Sequence, residues 1–339
     1  MSLMDDVQLI RNTISLDINR RKSIIRVEGE ESWEVLYSIL PCDMFLSDSQ
    51  IRHTVLLSED GIVLADAYVC NDDDDFLLLI DGLSPQECLN YLGKHDGVSI
   101  VDLTEQYSLI SINGPFSWEL LGKLDSLGAI GLPYMSFYFF TEEIICLRAG
   151  VTGEYAYTFI VPIESEDSFV DNVLQKGKEY GIRLIDRAAI EYCRVENWFF
   201  DPHCEGKQGL NPYELQLSWR IREQCDYRGA EALKQDSDRR ITAFRSQEKV
   251  HGAVMYEGDK IGIILRCKKD VRKQDYFGIA LLKKEFAHSG VHEYTASSIE
   301  LQTVSPPFVI NRSMFVKPQK HCFTERATID IDASFAWEL

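Results

Sequence analysis

Residues 51–80 read IRHTVLLSEDGIVLADAYVCNDDDDFLLLI. Residues 51–57 have the β-branched, apolar make-up of a strand, and Asp60-Gly61 supplies a hairpin turn. Residues 62–70 then form the return strand, NDDDDF a second, acidic turn, and FLLLI at 76–80 a third strand. Ser84, Pro85 and Glu87 follow as cap, first-turn proline and capping-box acid, so a helix is predicted to about Leu92. Upstream, SIIRV at 23–27 reads as a strand, with a helix from about Glu31 to Leu40 before the three-strand unit.

The same order recurs downstream. YSLISIN at 107–113 is a strand, Gly114-Pro115 turns the chain into the helix FSWELLGKL, residues 144–148 and 155–161 form a hairpin around VTGE, and a helix covers about 165–180. Strand, helix, strand, strand, written twice, predicts two related α+β halves. Beyond residue 236 the texture changes to short β segments: RRITAFRS, AVMYEG, KIGIILRC and YFGIALLKK, with PPFVINRSMFVKP as a closing strand pair. The expected fold class is α+β: two α/β-sandwich subdomains followed by a small β-barrel. The expected division is 1–235, with an internal boundary near 100–110, and 236–339.

Bulk properties exclude several roles. The chain has 339 residues and a net charge of −19, which opposes a nucleic-acid or anionic-membrane binder. No apolar run is long enough to span a bilayer, and MSLMDDVQLIRNT is too acidic and polar for a signal peptide. The nine cysteines are scattered without a CxxC, which predicts reduced thiols in a cytoplasmic protein and no metal centre. There is no GxGxxG after a strand, no GxxxxGK[ST] and no GxSxG, and His251, His288, His292 and His321 have no evident triad partners.

A second set of residues has spacing that no helix or strand period explains: AIEYCRVENW at 189–198, NPYELQLSW at 211–219 and DYRGAEALK at 226–234, with VTGEYAY at 151–157. In this order, with Ile112-Asn113-Gly114-Pro115 before them, they resemble the aminomethyltransferase family, which comprises the glycine-cleavage T protein and related tetrahydrofolate-dependent demethylases and methyltransferases. The resemblance covers about residues 17–320. It implies a three-domain, cloverleaf-like fold around a folate channel, with tetrahydrofolate as cofactor. It also implies transfer of a methyl or aminomethyl group from a small-molecule donor, which is favoured as partner over a lipoyl carrier protein.

The resemblance carries specific residues. Glu196 takes the role of the carboxylate that holds the amino-pyrimidinone edge of the pterin. Asp66, after the Gly61 hairpin, takes the role of the catalytic acid that orients folate and donor and stabilises developing positive charge. Strand alternation puts Asp66 on a face with Ile62 and Leu64, where an acid needs a partner or a function. Tyr68 shares that face and is a candidate channel lining. Asp81 stands where the family has an Asn that contacts pterin. Trp219 is read as pocket wall or core, and Arg222 as a cation for a folate carboxylate. Trp198 replaces a family Gly, which suits a divergent member. The alternative is a folate-binding protein without turnover, as in the iron–sulfur-maintenance branch, although DYRGAEAL lacks that branch's Cys.

Overall fold

The computed structural model describes residues 2–125, 131–223, 226–235 and 237–329. Its first sheet is built from β2 (Lys22–Glu28), β3 (Ile51–Leu57), β4 (Val63–Asp72), β5 (Asp75–Asp81) and β6 (Ser99–Asp102), ordered β3-β4-β5-β2-β6. The second contains β1 (Ser15–Asn19), β7 (Tyr107–Asn113), β8 (Phe137–Phe139), β9 (Ile145–Leu147) and β10 (Ala156–Pro162), ordered β1-β7-β10-β9-β8. The three-strand reading of 51–80 and the strand at 107–113 are present as expected. β1 leaves the first sheet's chain segment and pairs with β7, so the two halves are laced together at the start of the chain.

Alternation along the strands sets the layers. Ile24, Tyr68 and Leu79 of the first sheet meet Leu109, Leu147 and Ile160 of the second in one shared core. Their neighbours point the other way. Ile25, Val27 and Leu78 pack under α2 (Ser32–Ile39) and α3 (Pro85–Leu92), while Ile110, Ile112 and Phe159 pack under α4 (Ser117–Leu124) and α5 (Glu166–Lys176). The result is helix, sheet, sheet, helix. The Ser84–Glu87 capping box forms as expected.

The third unit is a closed barrel of β11 (Arg239–Ser246), β12 (Ala253–Tyr256), β13 (Asp259–Lys269), β14 (Tyr276–Lys283), β15 (Tyr294–Ala296) and β16 (Ile299–Val304). Residues 306–318 are not the closing strand pair that the sequence suggested, since β15 and β16 close the barrel. Pro306 and Pro307 have no N–H to give a ladder, and the segment instead spends its polar groups on other parts of the molecule: Asn311 accepts from Arg11, and Ser313 donates to Glu154. Helix α6 (Arg187–Glu196) lies where the end of the first sheet, the barrel and α1 (Leu3–Asn12) converge. Its Ala189, Ile190 and Cys193 share a core with Val55, Val63, Phe277 and Ile279.

No described helix is long and apolar enough to cross a membrane. Cys225 lies outside the described residues, and the described cysteines are free.

Candidate active site

The unexplained spacing of 189–234 is that of a joint. Gly229 lies so close to the β3–β4 hairpin that a Cβ there would come within 2.3 Å of the Ser58 carbonyl oxygen. At the hairpin tip Gly61 has φ +72, and Leu233 packs on it. Val63 N–H donates to Leu210 O, and Ile241 N–H donates to Glu214 O, so the 210–214 turn ties β4 to the first barrel strand. Arg239 pairs with Glu214 at 2.8 Å. These residues fix where the hairpin carrying Asp66 sits relative to α6.

Register then assembles the site. Asp66 lies opposite Asp81 across β4–β5, and Asp81 lies opposite Lys22 across β5–β2. Directly opposed residues share a face, so Lys22, Asp81 and Asp66 form one row of charges. The next row on that face holds Leu79, Tyr68 and His53. From α6, Arg194 reaches across the row and donates to Asp81 Oδ2 at 3.1 Å and Asp66 Oδ2 at 3.3 Å. Arg220 donates to Asp66 Oδ1, which His53 Nε2 also approaches at 2.7 Å. His203 Nε2 lies 2.7 Å from Asp81 Oδ1. Asp66, Asp81, Arg194 and Arg220 are all buried.

Electrostatics follow from these contacts. Burial alone would raise the Asp66 carboxyl, but His53, Arg220 and Arg194 outweigh it and hold it well below the usual carboxylate range. Asp81, also opposed by burial, is held down at about 2 by the His203 hydrogen bond and by Arg194. Both carboxylates are therefore charged at neutral pH. Burial pushes His53 down to about 4, so its ring is neutral, and the acceptor-only carboxylate beside it assigns the proton to Nε2.

This arrangement makes stability depend on pH. An unfolded histidine takes up its proton near its ordinary 6.5, whereas folded His53 does so only near 4. Its contribution is therefore complete above about pH 6.5 and is lost as pH falls toward 4, about 2 kcal/mol of it by about pH 5. The variant His53→Gln keeps an N–H for Asp66 and removes the titration. Urea unfolding at about pH 7 and about pH 5 is expected to show a smaller acid-side loss in the variant than in the wild-type protein.

The row opens onto a cavity of about 40 Å³ between the two sheets. Lys22, Tyr68 and Asp81 line it from the first sheet, Asp17, Ser111 and Asn113 from the second, and Arg187 and Arg194 from α6. Asp66 does not itself line the cavity but accepts from Arg194, which does. Burial lowers the Lys22 ammonium below its ordinary value, and Asp81 and Asp66 only partly offset that. Asp17, raised by burial, pairs with Arg187 at 3.3 Å.

Of the residues read from sequence, Asp66, Tyr68 and Asp81 come together here. Trp219 stands above them, exposed, with its ring edge toward His53 and the Arg220 guanidinium 4.8 Å from its ring centre. Arg222 is elsewhere: it donates to the carbonyls of Tyr37 and Leu40 and stacks on Tyr37 at 3.8 Å, anchoring the end of α2. Glu196 is also apart. Arg187, Ile190 and Arg194 line the cavity from one side of α6, and Glu196, two residues beyond Arg194, faces about 200° around the helix. There it meets Arg11 at 2.6 Å and Arg272 at 2.7 Å, while Arg11 also holds Thr152 O, Glu154 and Asn311. Lys22, His53, Asn113, His203 and Arg220 were missed by the sequence reading. Only Asn113 had a legible cue, its place in the Ile112-Asn113-Gly114-Pro115 element, which gave it no role.

The match to the family described as GCVT N-terminal domain spans residues 4–224, the segment that carries both sheets, α6 and the Asp66–Arg194 cluster. The chain belongs to that family. The curated aminomethyltransferase of Chlorobaculum parvum is 27% identical over 312 residues, covering 86% of this chain and 84% of that protein. That of Pseudothermotoga lettingae is 23% identical over 327 residues, covering 91% and 90%. The crystal structure of glycine cleavage system aminomethyltransferase T from Bartonella henselae superposes with a TM-score of 0.81 at 20% identity, over 92% of this chain and 90% of that one. The likeness extends through the barrel and establishes a shared fold. Within this GCVT-family chain, Trp198, which the resemblance sets against a glycine, has a φ of 62, the left-handed backbone that glycine favours.

Proposed function

We propose that this protein is a tetrahydrofolate-dependent one-carbon transferase acting on a small methyl or aminomethyl donor. The observation that supports it most is the pair of buried, charged carboxylates, Asp66 and Asp81, bridged by Arg194 at the wall of a polar cavity between the sheets. Such a cluster costs several kcal/mol to bury and adds little to stability over an apolar replacement. Its place at a cavity mouth suits a binding or catalytic role.

The donor set fits a tetrahydropterin. Asp81 offers an acceptor for an amino-pyrimidinone edge, Tyr68 offers an aromatic wall, and the buried Asn113 Nδ2 has no acceptor of its own. A space of about 40 Å³ is too small for a pterin ring, so on this reading the cleft between the sheets widens when the ring enters. Tetrahydrofolate, once bound, supplies the nucleophilic nitrogen that accepts the one-carbon unit.

The chain's own residues position and polarise. Asp66 fixes Arg194 and Arg220 and keeps His53 in one tautomer, so that a fixed negative charge backs the cavity without reorganising. Asp81 orients the cofactor edge. Trp219 stands at the exposed side of the cluster, where a donor would approach. Glu196 anchors α6 from its far side through Arg11 and Arg272. The three units, two sandwich halves spanning about 1–235 and the barrel after 236, would enclose the folate in a cloverleaf-like arrangement, as the family resemblance implies.

The test is an assay with ¹³C-labelled N-methyl, S-methyl, O-methyl and aminomethyl donors in the presence of tetrahydrofolate. Label in 5-methyl- or 5,10-methylene-tetrahydrofolate supports the proposal. Folate binding without label transfer from any donor class favours the non-catalytic binder.

A further inference from the structure

One acid of the cluster faces two ways. Asp81 lines the cavity, and its side chain is only 1% exposed. His203 does not line the cavity, yet its Nε2 meets Asp81 Oδ1 at 2.7 Å while 34% of its side chain stays in solvent. Of the two imidazoles in the cluster, it is the one that water reaches, since His53 is buried. The loop that carries it is seated firmly. A Cβ on Gly82, next after Asp81, would lie 2.7 Å from Pro202 Cβ. Asp201 accepts from the His203 N–H at 2.9 Å, Glu205 accepts from the Asp201 N–H at 3.1 Å, and Arg266 of β13 pairs with both acids. Asp201, Glu205 and Arg266 are buried.

Asp81 is ionised and only accepts, so the neutral His203 ring carries its proton on Nε2. A further proton enters at Nδ1, and it turns the hydrogen bond into an ion pair that draws the carboxylate's charge toward the loop. A carboxylate has about four lone-pair sites, of which Asp81 uses one for His203 and one for Arg194, so acceptor capacity remains toward the cavity. That capacity is greatest with His203 neutral. The other groups around His203 have partners of their own. Asp201 and Glu205 share Arg266, Cys204 Sγ donates to Leu265 O, Arg194 of α6 is divided between Asp81 and Asp66, and Lys22 of β2 stands opposite Asp81 across the sheet. We propose that His203 is a positioning residue: through Asp81 it aims and grades the acceptor that the cavity offers to a hydrogen-bond donor of its ligand.

The coupling of His203 to Asp81 stands on geometry, while taking tetrahydrofolate as the ligand rests on the transferase reading above. On that reading a ligand N–H binds Asp81 best when His203 is neutral. Binding then lowers the proton affinity of His203 and releases protons, and affinity rises as pH rises through the His203 titration. A role limited to anchoring the loop predicts neither effect.

The test uses the full chain as wild type, His203→Gln and Asp81→Asn. Glutamine keeps an N–H for Asp81 and removes the titration. NMR follows the His203 ring from about pH 5 to about pH 8, the range in which imidazoles change charge, and the His203→Gln spectrum assigns its signals. The midpoint is expected to fall in Asp81→Asn, where an ionic partner becomes a neutral one. Folinic acid is titrated calorimetrically at about pH 6 and about pH 8 in two buffers of different ionisation enthalpy. The wild-type protein is expected to bind about 3- to 10-fold more tightly at the higher pH, the scale of one graded hydrogen bond, and to release protons on binding. His203→Gln is expected to melt near the wild-type temperature and to lose both the pH dependence and the proton release. A midpoint that Asp81→Asn leaves unmoved, tighter binding at the lower pH, or the same pH dependence and proton release in His203→Gln overturns the proposal. If folinic acid binds none of the three proteins, the transferase reading falls and the NMR midpoint decides alone: a lowered midpoint sustains the coupling of His203 to Asp81, and an unmoved one removes it.

Discussion

Replacing Arg194 by methionine is expected to destabilise the protein by about 3–5 kcal/mol near neutral pH, the range for removing one partner of a buried ion pair. Arg194 is 2% exposed and serves two acids at once. Without it, Asp66 retains Arg220 and His53, but Asp81 keeps only the partly exposed His203 and the more distant charge of Lys22 across β5–β2. Asp66 and Asp81 also face each other directly across β4–β5, so their repulsion would no longer be screened.

The pH dependence gives this effect a sign. In the wild-type protein Asp81 is held at about 2, below the ordinary 3.8, so its contribution is present above about pH 4 and is lost as pH falls toward 2. In the variant the folded Asp81 rises above its unfolded value. It then contributes only at low pH and costs stability as pH rises through its folded value. The deficit of the variant should therefore shrink on acidification from about pH 7 to about pH 5, and Arg194→Met with Asp81→Asn should recover much of it. Urea unfolding at the two pH values measures this directly. A deficit that grows on acidification, or a double variant no better than the single one, would show that the carboxylates are not what Arg194 neutralises.

Substituting Asp66 by asparagine is expected to lower the rate of one-carbon transfer by about 10²–10³-fold, the usual consequence of removing one preorganised electrostatic group. Asparagine is nearly isosteric and still accepts a bond from Arg194 or Arg220, so the fold should persist with reduced stability. Asp66 is not among the residues that line the cavity, so tetrahydrofolate affinity should change by no more than a few-fold. The split between kcat and cofactor affinity separates this role from a purely structural one. A variant that binds more weakly but turns over at the wild-type rate would make Asp66 a binding residue only.

Much of the fold was legible because local patterns and tertiary demands agree. The 51–80 meander carries its turns in Asp60-Gly61 and the acidic 71–76 segment, and the capping residues at 84–87 act within four residues of each other. Residues 306–318 misled because apolar residues beside prolines look strand-like, and nothing local records that Asn311 and Ser313 are committed to Arg11 and Glu154. The site was partly legible. Asp66 stood out as an acid on an apolar face, and Tyr68 followed from the period of two. Asp81 came from the family comparison. The groups that set their chemistry did not stand out, because Arg194, Arg220, His53 and His203 reach them from α6, from the 218–220 turn, from β3 and from the 201–204 loop. Long-range pairing of this kind leaves no periodic trace. Glu196, whose place in the motif suggested the pterin, does not line this cavity and pairs with Arg11 and Arg272.

The central claim is that tetrahydrofolate occupies the cleft between the two sheets, against Tyr68 and Asp81. Calorimetric titration of folinic acid into the wild-type protein, Tyr68→Leu and Glu196→Gln tests it most directly. The expected result is saturable binding to the wild-type protein, a loss of about 10-fold or more in Tyr68→Leu from the missing aromatic wall, and a smaller change in Glu196→Gln. Binding that survives Tyr68→Leu intact but collapses in Glu196→Gln would contradict the account and move the cofactor to the far side of α6.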